Sequence, residues 1–329
     1  MDQPYQPAFS MVQTKGSSLD YVVQVHGGAW DIPQSLKEAH RAGVVAAYDY
    51  AVSRLQSGKD PMDTIVEVLG ILEDDPVFDA GSGSFLNEHG VVELDAAVME
   101  GAGLRAGAVA ALGSFPNPSR IARAVMDCTD HVLLVGTGAE DFAMSQGFRK
   151  VDISVLVHER EITAHRAWLA SGKPDAKTFF SNPETKSRSG PEPDRRGTVG
   201  VVLGVKNKTG HFCLFSGTST GGTPGKKAGR VGDVPLVGCG IYADNEGAAV
   251  SCTGWGEGLT RIVAAKSVSQ RVTAGQHPQQ AIEAVLQEMW RRTGGRGGII
   301  AVDREGRCGA AFSTPDMAFA GSGCKQIFP

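Results

Sequence analysis

Layers of antiparallel β-sheet covered by helices, an α+β fold, are what this sequence predicts, and three observations predict them. Apolar strand-like segments recur as neighbours joined by short turns, as in TVGVVLGV and HFCLFSG on either side of KNKTG. Segments with helical spacing come in pairs between the strands, Gln34–Leu55 with Pro61–Leu72 and Gly258–Ala274 with Pro278–Arg292. With 329 residues, 41% of them hydrophobic and 21% charged, the chain can bury one large core as a single domain.

The elements follow in order. After a polar tail, Tyr21–Val25 reads as a short strand stopped by a His26-Gly27-Gly28 turn. The first helix pair comes next, with Pro61 suited to a first helical turn. LEDDPVFDAGSGSFLN is a compact Gly/Asp loop, and VVELDAAVM and AGAVAAL are strands. Asn117-Pro118 reads as an N-cap with proline at the first helical position, opening a helix to about Asp127. HVLLVG is expected to be a buried strand, with helices near Ala139–Gln146 and Glu159–Ser171. Residues 174–197, rich in Pro, Ser and charge, are expected to form a mobile linker. EGAAVSCT, GGIIAVD and CGAAFST are further strands, separated by the second helix pair.

Composition narrows the function. A net charge of −4 offers nothing to nucleic acid or an anionic membrane. No stretch reaches 18 apolar residues, and MDQPYQPAFSMVQTKGSSLD lacks the basic start and apolar core of a signal peptide. Six cysteines without a C-x-x-C pair argue against zinc and a disulfide scaffold, and fit a reduced, cytoplasmic setting. GTGAED follows a strand but lacks the third glycine and the βαβ repeat of a dinucleotide site. His158 and His165, seven residues apart without a third ligand, read as packing or surface residues rather than metal ligands.

Thr198 stands where the linker meets a core strand, in DRRGTVGVVLGV. A threonine opening a strand is ordinary by itself. Cutting Gly197–Thr198, however, would give one residue both a hydroxyl nucleophile and an α-amine base of reference pKa about 7.7–8.0. Gly197 leaves its carbonyl open to attack, and a mobile linker lets the severed end move away. Three clusters follow. GTSTGG ends the strand that pairs with the Thr198 strand and brings Thr220 near the junction. GRVGD sets Arg230 three residues from Asp233, a pair suited to the α-carboxylate and α-ammonium of an amino acid. CTGWGE joins a strand to a helix, where the Thr253 hydroxyl and Gly254 N–H can converge on an oxyanion. Each cluster alone is as well explained by a turn, an ion pair or a helix cap. Their joint order behind G-T-V-G points to chemistry.

Taken together, these motifs resemble the plant-type asparaginase and isoaspartyl peptidase family of N-terminal-nucleophile hydrolases. The resemblance runs from QVHGGAW through LEDDPVFDAGSGSFLN, VELDAAVMEG, GTVGVV, STGG, GRVGDVPLVGCGIYAD and AVSCTGWGE to FSTPDMAFAG. It implies a four-layer αββα sandwich, self-cleaved into subunits 1–197 and 198–329 and paired as a dimer of cleaved protomers. The implied substrates are L-asparagine and isoaspartyl (β-aspartyl) dipeptides, with no cofactor for the chemistry. By resemblance, Thr198 is the nucleophile of both self-cleavage and hydrolysis, and Thr220 its supporting hydroxyl. Arg230 and Asp233 hold the substrate's amino-acid end, Thr253 and Gly254 form the oxyanion hole, and the Gly256 backbone helps seat the substrate. His26–Gly28 resembles a loop tied to cleavage and the active-site wall. The Gly/Asp loop resembles one that binds sodium, or potassium, through the carbonyls of Leu72, Glu73, Asp75, Phe78, Ala80 and Ser82.

Two departures stand out. Where the family reads F-N-A-G this chain has FDAG, and an ionised Asp79 can only accept beside the nucleophile, holding the Thr198 ammonium more tightly. Trp255 between two glycines is expected at the pocket mouth, narrowing the choice of leaving group. The alternatives are a glycosylasparaginase-like amidase, disfavoured by the sodium-type loop and the missing signal peptide, and a non-catalytic amino-acid binder on the same fold.

Overall fold

Strands buried on both faces account for the long apolar runs in this sequence. The computed structural model describes residues 10–13, 20–174, 197–322 and 324–328. Up to residue 174, the strands are β1 (Ser10–Gln13), β2 (Tyr21–Trp30), β3 (Leu94–Glu100), β4 (Ala106–Leu112) and β5 (Leu133–Val135). The helices of that half are α1 (Lys37–Gln56), α2 (Pro61–Asp74), α3 (Pro118–Cys128), α4 (Gly136–Ser145) and α5 (Glu159–Ala170). The second half opens with β6 (Val199–Lys206), β7 (Phe212–Thr220), β8 (Ile241–Tyr242) and β9 (Ala248–Gly254). Helices α6 (Gly256–Arg261), α7 (Ala264–Thr273) and α8 (Pro278–Thr293) follow. Strands β10 (Gly297–Asp303), β11 (Cys308–Phe312), β12 (Asp316–Gly321) and β13 (Cys324–Phe328) close the chain.

Two sheets result. One has eight strands in the order β13-β12-β2-β6-β7-β3-β4-β5, the other five in the order β1-β11-β10-β9-β8. The described strand pairings are antiparallel except β4 with β5. Alternate residues of one strand serve different clusters. Val22 and Val202 join Val250 and Ile300 of the smaller sheet and Val268 and Leu286 of α7 and α8. Val23, Val25, Val201 and Leu203 join Val44 of α1 and Ile65 and Leu69 of α2. Helix α2 buries Met62, Ile65, Val68, Leu69 and Leu72, the spacing of a single apolar stripe. Asp60 caps it, accepting the Asp63 N–H at 2.9 Å, and Pro61 occupies the first turn as expected.

Several sequence expectations are corrected. His26-Gly27-Gly28 is not a turn: β2 continues through it to Trp30, with a register shift against β12 between Met317 and Phe319. VVELDAAVM becomes strand only at Leu94. HVLLVG shortens to a half-exposed edge strand, β5, and the helix expected from Ala139 starts earlier, so that GTGAED opens α4 at Gly136. Asn117 precedes α3 but does not cap it; its amide donates to Asp74 Oδ1, while the Glu73 carboxylate takes the Ser119 N–H at 3.1 Å. The helix expected over 258–274 is two helices, broken at Val263, which has φ +50°. Strands β1, β8, β12 and β13 were not anticipated. Of the linker expected over 174–197, residues 175–196 lie outside the described residues.

Candidate active site

The register of β6 against β7 builds the centre of the site. Val199 lies opposite Ser219, so one step further Thr198 meets Thr220. Thr198 is 8% exposed and donates its hydroxyl to Thr220 Oγ1 at 3.1 Å. Thr220 Oγ1 accepts the Gly222 N–H at 3.0 Å and lies 3.5 Å from Asp79 Oδ2. The other Asp79 oxygen accepts the Phe85 N–H at 3.0 Å, and its main-chain carbonyl accepts the Gly221 N–H. Donation therefore runs from Thr198 through Thr220 toward a buried carboxylate. A Cβ on Gly221 would stand 2.4 Å from Asp79 Oδ1, so the glycine leaves room for that carboxylate.

Backbone fits tightly around the Gly197–Thr198 bond. Gly28 has φ +104°, and a Cβ on it would stand 2.6 Å from Gly197 Cα. The two glycines thus pack backbone to backbone, which any side chain would prevent. Thr253 Oγ1 accepts the Ala29 N–H at 3.3 Å. Gly254 has φ +123°, and a Cβ there would stand 2.4 Å from Gly297 Cα. The end of β9 that bears Thr253 and Gly254 is thus paired with β10 and bonded to β2.

A cradle of charge and glycine adjoins this centre. Arg230 Nε donates to Glu257 Oε1 at 3.0 Å, and the guanidinium leans on Gly232, where a Cβ would stand 2.9 Å from Nη1. A Cβ on Gly256 would meet Asp233 Oδ1 at 2.7 Å and Arg230 Nη2 at 2.9 Å, so Gly256 borders both groups. Asp233 is buried, and its Oδ2 has no hydrogen-bond partner. Burial pushes its carboxyl up to about 7, against the pull of Arg230. Burial also works against Glu257, yet the charge and hydrogen bond of Arg230 hold that carboxyl below its usual range. Behind the cradle, burial raises Asp95 and lowers Lys226, each partly offset by the charge of the other. Lys226 Nζ donates to the Glu93 carbonyl at 2.7 Å.

The suggested cation loop follows α2. Leu72 and Glu73 lie in the last turn of that helix, and Asp75, Phe78, Ala80 and Ser82 lie in the loop beyond. A Cβ on Gly81 would stand 2.5 Å from the Glu73 carbonyl and 2.6 Å from that of Pro116, so two carbonyl oxygens converge on a space a side chain would fill. Ser82 N–H also donates to the Glu73 carbonyl at 2.7 Å. The Asp75 carbonyl likewise accepts the Phe78 N–H; neutral carbonyl oxygens of this kind are the ligands a hard monovalent cation takes. Among the described residues no group of three or more His, Cys, Asp or Glu could hold a metal ion. His158 does not pair with His165. It contacts Ser82 Oγ at 2.8 Å, while His165 stacks on Trp168.

The site thus brings Gly197, Thr198, Thr220 and Asp79 into one cluster and Arg230, Asp233 and Gly256 into another, with Thr253 bonded to Ala29 and Gly254 packed on Gly297. Trp255 is corrected. It is buried, with Gly258 and Gly295 each leaving space for its ring and Arg261 over it, rather than standing open at a pocket mouth. Sequence reasoning missed Glu257, Lys226, Asp95 and Ser251. Glu257 lay inside the CTGWGE motif, and its spacing of three from Gly254 was the signal available.

Residues 19–327 match the sequence profile of the Asparaginase_2 family, asparaginase. The chain is 38% identical over 301 residues to an isoaspartyl peptidase/L-asparaginase of Xenopus laevis, covering 91% of each protein. It is 36% identical over 302 residues to the isoaspartyl peptidase of Escherichia coli (strain K12), covering 90% of this chain and 91% of that one. It is 38% identical over 307 residues to a plant-type L-asparaginase of Pyrococcus abyssi, covering 90% and 94%.

Proposed function

The chain belongs to the Asparaginase_2 family, and from that premise we propose that it is a self-processing threonine amidohydrolase acting on L-asparagine and on β-aspartyl dipeptides. One observation carries the reading: the hydrogen-bonded hydroxyl pair Thr198–Thr220 directly follows Gly197 and adjoins the Arg230–Asp233 cradle. Thr198 Oγ attacks the Gly197 carbonyl carbon, and the peptide C–N bond gives way to an ester as the hydroxyl proton passes to nitrogen. Water hydrolyses that ester, leaving chains of 197 and 132 residues (329 − 197). The released α-amine, of reference pKa about 7.7–8.0, then serves Thr198 as its base.

Arg230 grips the substrate's α-carboxylate with two parallel hydrogen bonds. The unpartnered Asp233 Oδ2 takes the α-ammonium. Gly256 borders both groups and leaves room for the ligand. Thr198 attacks the side-chain carbonyl, and the Thr253 hydroxyl and Gly254 N–H receive the oxyanion, a donor there being worth about 2.7–4 kcal/mol. The Thr198 amine returns the proton to the leaving ammonia or peptide amine, and water frees aspartate.

The same reading takes α7 and α8, the five-stranded sheet, the eight-stranded sheet and α1 to α3 as four layers of an αββα sandwich. The split of the apolar residues into clusters on either side of the larger sheet supports this. It assigns a sodium or potassium ion to the carbonyls of Leu72, Glu73, Asp75, Phe78, Ala80 and Ser82, where it would brace the loop that carries Asp79. It pairs two cleaved protomers, a role supported by exposed Val132, Val135 and Met144 around β5 and α4. A cytoplasmic setting is supported by the free thiols of Cys128, Cys213, Cys239, Cys252 and Cys308. Among the described residues no helix is long and apolar enough to cross a membrane.

N-terminal sequencing of the purified protein tests the reading. Two starts are expected, the second at TVGVV, and Thr198→Ala should remain one inactive chain. Hydrolysis of asparagine by an uncut wild-type chain, or by Thr198→Ala, would overturn it.

A further inference from the structure

We infer that His26 and Ser251 are positioning residues. Their hydrogen bond spans the two sheets one pleat behind the reacting groups and sets the distance from the Thr198 hydroxyl to the Thr253–Gly254 oxyanion site. The inference rests on the amidohydrolase reading above.

His26 belongs to β2 in the larger sheet and Ser251 to β9 in the smaller one. His26 Nε2 and Ser251 Oγ stand 2.8 Å apart, and neither residue is exposed to solvent. His26 lies opposite Gly200 in the pairing of β2 with β6, two residues along from Thr198. Ser251 likewise precedes Thr253 by two residues on β9. A period of two keeps each on the same strand face as its reacting partner, about 6.5 Å deeper.

Gly200 makes the bridge possible. A Cβ there would stand 2.1 Å from Ser251 Oγ and 2.3 Å from His26 Nε2, so the pair fills the space above that residue. Facing sheets usually stand about 10 Å apart and are spaced by apolar side chains, whose contacts are non-directional. A directional hydrogen bond between buried groups sets the gap more sharply. The Ala29 N–H to Thr253 Oγ1 bond links the same two strands at the level of the chemistry. The Thr198 main chain also lies beside the imidazole and favours its charged form, while Nδ1 has no hydrogen-bond partner. Burial holds the ring down to about 3, with the Thr198 main chain opposing only in part, so near neutral pH His26 is uncharged.

The test uses the full chain after self-cleavage, with rates referred to the cleaved fraction on a denaturing gel. Ser251→Ala, His26→Asn and His26→Gln are assayed on asparagine and on a β-aspartyl dipeptide. A misplacement of about 1 Å lowers rates by up to roughly 100-fold, so Ser251→Ala and His26→Asn should lose roughly 10- to 100-fold in kcat. KM should stay within about threefold, the signature of a group that acts on the transition state alone. The acid limb of the kcat–pH curve should not move. Gln, long enough to set an amide nitrogen near the place of Nε2, should recover most of the rate, whereas Asn should not. Wild-type kcat in Ser251→Ala, a rise in KM alone, or an acid limb that shifts in the His26 variants overturns the proposal. If thermal melting shows the His26 variants unfolded, Ser251→Ala decides alone. A wild-type protein that hydrolyses neither substrate refutes the amidohydrolase reading first, and this inference falls with it.

Discussion

Replacing Asp233 by Asn should weaken the enzyme and strengthen the fold, because one buried carboxyl serves both in opposite senses. Its Oδ2 lacks a partner, and burial raises the group from 3.8 to about 7. In the proposed mechanism the substrate's ammonium needs the ionised form, so capture by the free enzyme requires Asp233 to lose a proton and the Thr198 amine to lose another. Below pH 7 the logarithm of kcat/KM should therefore rise with a slope near two. That of kcat should rise with a slope near one, since bound substrate holds Asp233 ionised. At pH 6 about a tenth of the free sites carry the charge. Asp233→Asn should bring both slopes to one. Loss of one partner from a buried charge pair costs about 2–5 kcal/mol, so kcat/KM at pH 8 should fall roughly 30- to 5000-fold, mostly through KM.

Stability runs the other way. Because the folded-state pKa lies above the unfolded one, this carboxyl favours folding fully below about pH 4, and the contribution is lost as pH rises through 7. At about 1.4 kcal/mol per unit, the loss across that window reaches at most about 4 kcal/mol. Asp233→Asn, which has no charge to bury, should melt above wild type at pH 8, with the difference shrinking toward pH 5. Paired melts and pH–rate curves on the cleaved protein measure both arms. A variant with wild-type KM, or a wild-type kcat/KM slope of one, would refute the role given to Asp233.

Three further outcomes are expected. Asp79→Asn removes a negative charge next to the hydroxyl pair and should move the acid limb of kcat downward by about one pH unit, read from stopped assays between pH 5 and 9; an unmoved limb counts against the chain of donors. Thr220→Val keeps the shape but ends the 3.1 Å hydroxyl contact, and should lower kcat by roughly 100-fold while the chain still melts cooperatively. Dialysis against sodium, potassium or a bulky organic cation should separate the melting temperatures. Each tenfold rise of the bound ion above its Kd should add about 1.4 kcal/mol; identical melts in all three salts would remove the ion from the loop.

What the sequence disclosed and what it hid divide along contact distance. Thr198 and Thr220 were legible because a linker-to-strand junction and a strand-ending STGG are local signals, and antiparallel register brings them together. Arg230, Asp233 and Gly256 were legible as a short Gly-held motif and its neighbour. His26-Gly27-Gly28 was misread as a turn because the glycines answer to distant neighbours, Gly27 to Phe78 and Gly28 to Gly197, 169 residues later (197 − 28). Asn117 was misread as a cap because the group that caps α3 is Glu73, 46 residues from Ser119. Lys226 sits in a Lys-Lys pair that reads as solvated charge, yet only Lys227 reaches solvent while Lys226 turns in toward Asp95 and Glu93. Trp255 reads as a gate beside glycines; Gly258 and Gly295, which give its ring room, place it inside instead.

The charge of the cradle follows from a conflict the chemistry imposes. In the proposed mechanism two amines meet in this site, and they must stand in opposite protonation states: the substrate's charged so that Asp233 binds it, Thr198's neutral so that it accepts a proton. Negative groups that favour the first also disfavour the second. Asp79, Asp95, Asp233 and Glu257 would together raise the pKa of any amine among them. Arg230 offsets the side that receives substrate, through Glu257 and Asp233. Lys226 offsets the other side, since Asp95, Glu93 and Asp79 all support its charge. Its ammonium and the Arg230 guanidinium both abut Gly222, whose N–H caps Thr220. A buried lysine, costly to the fold by itself, thus lets the threonine amine lose its proton a short distance from a carboxylate that must keep its charge.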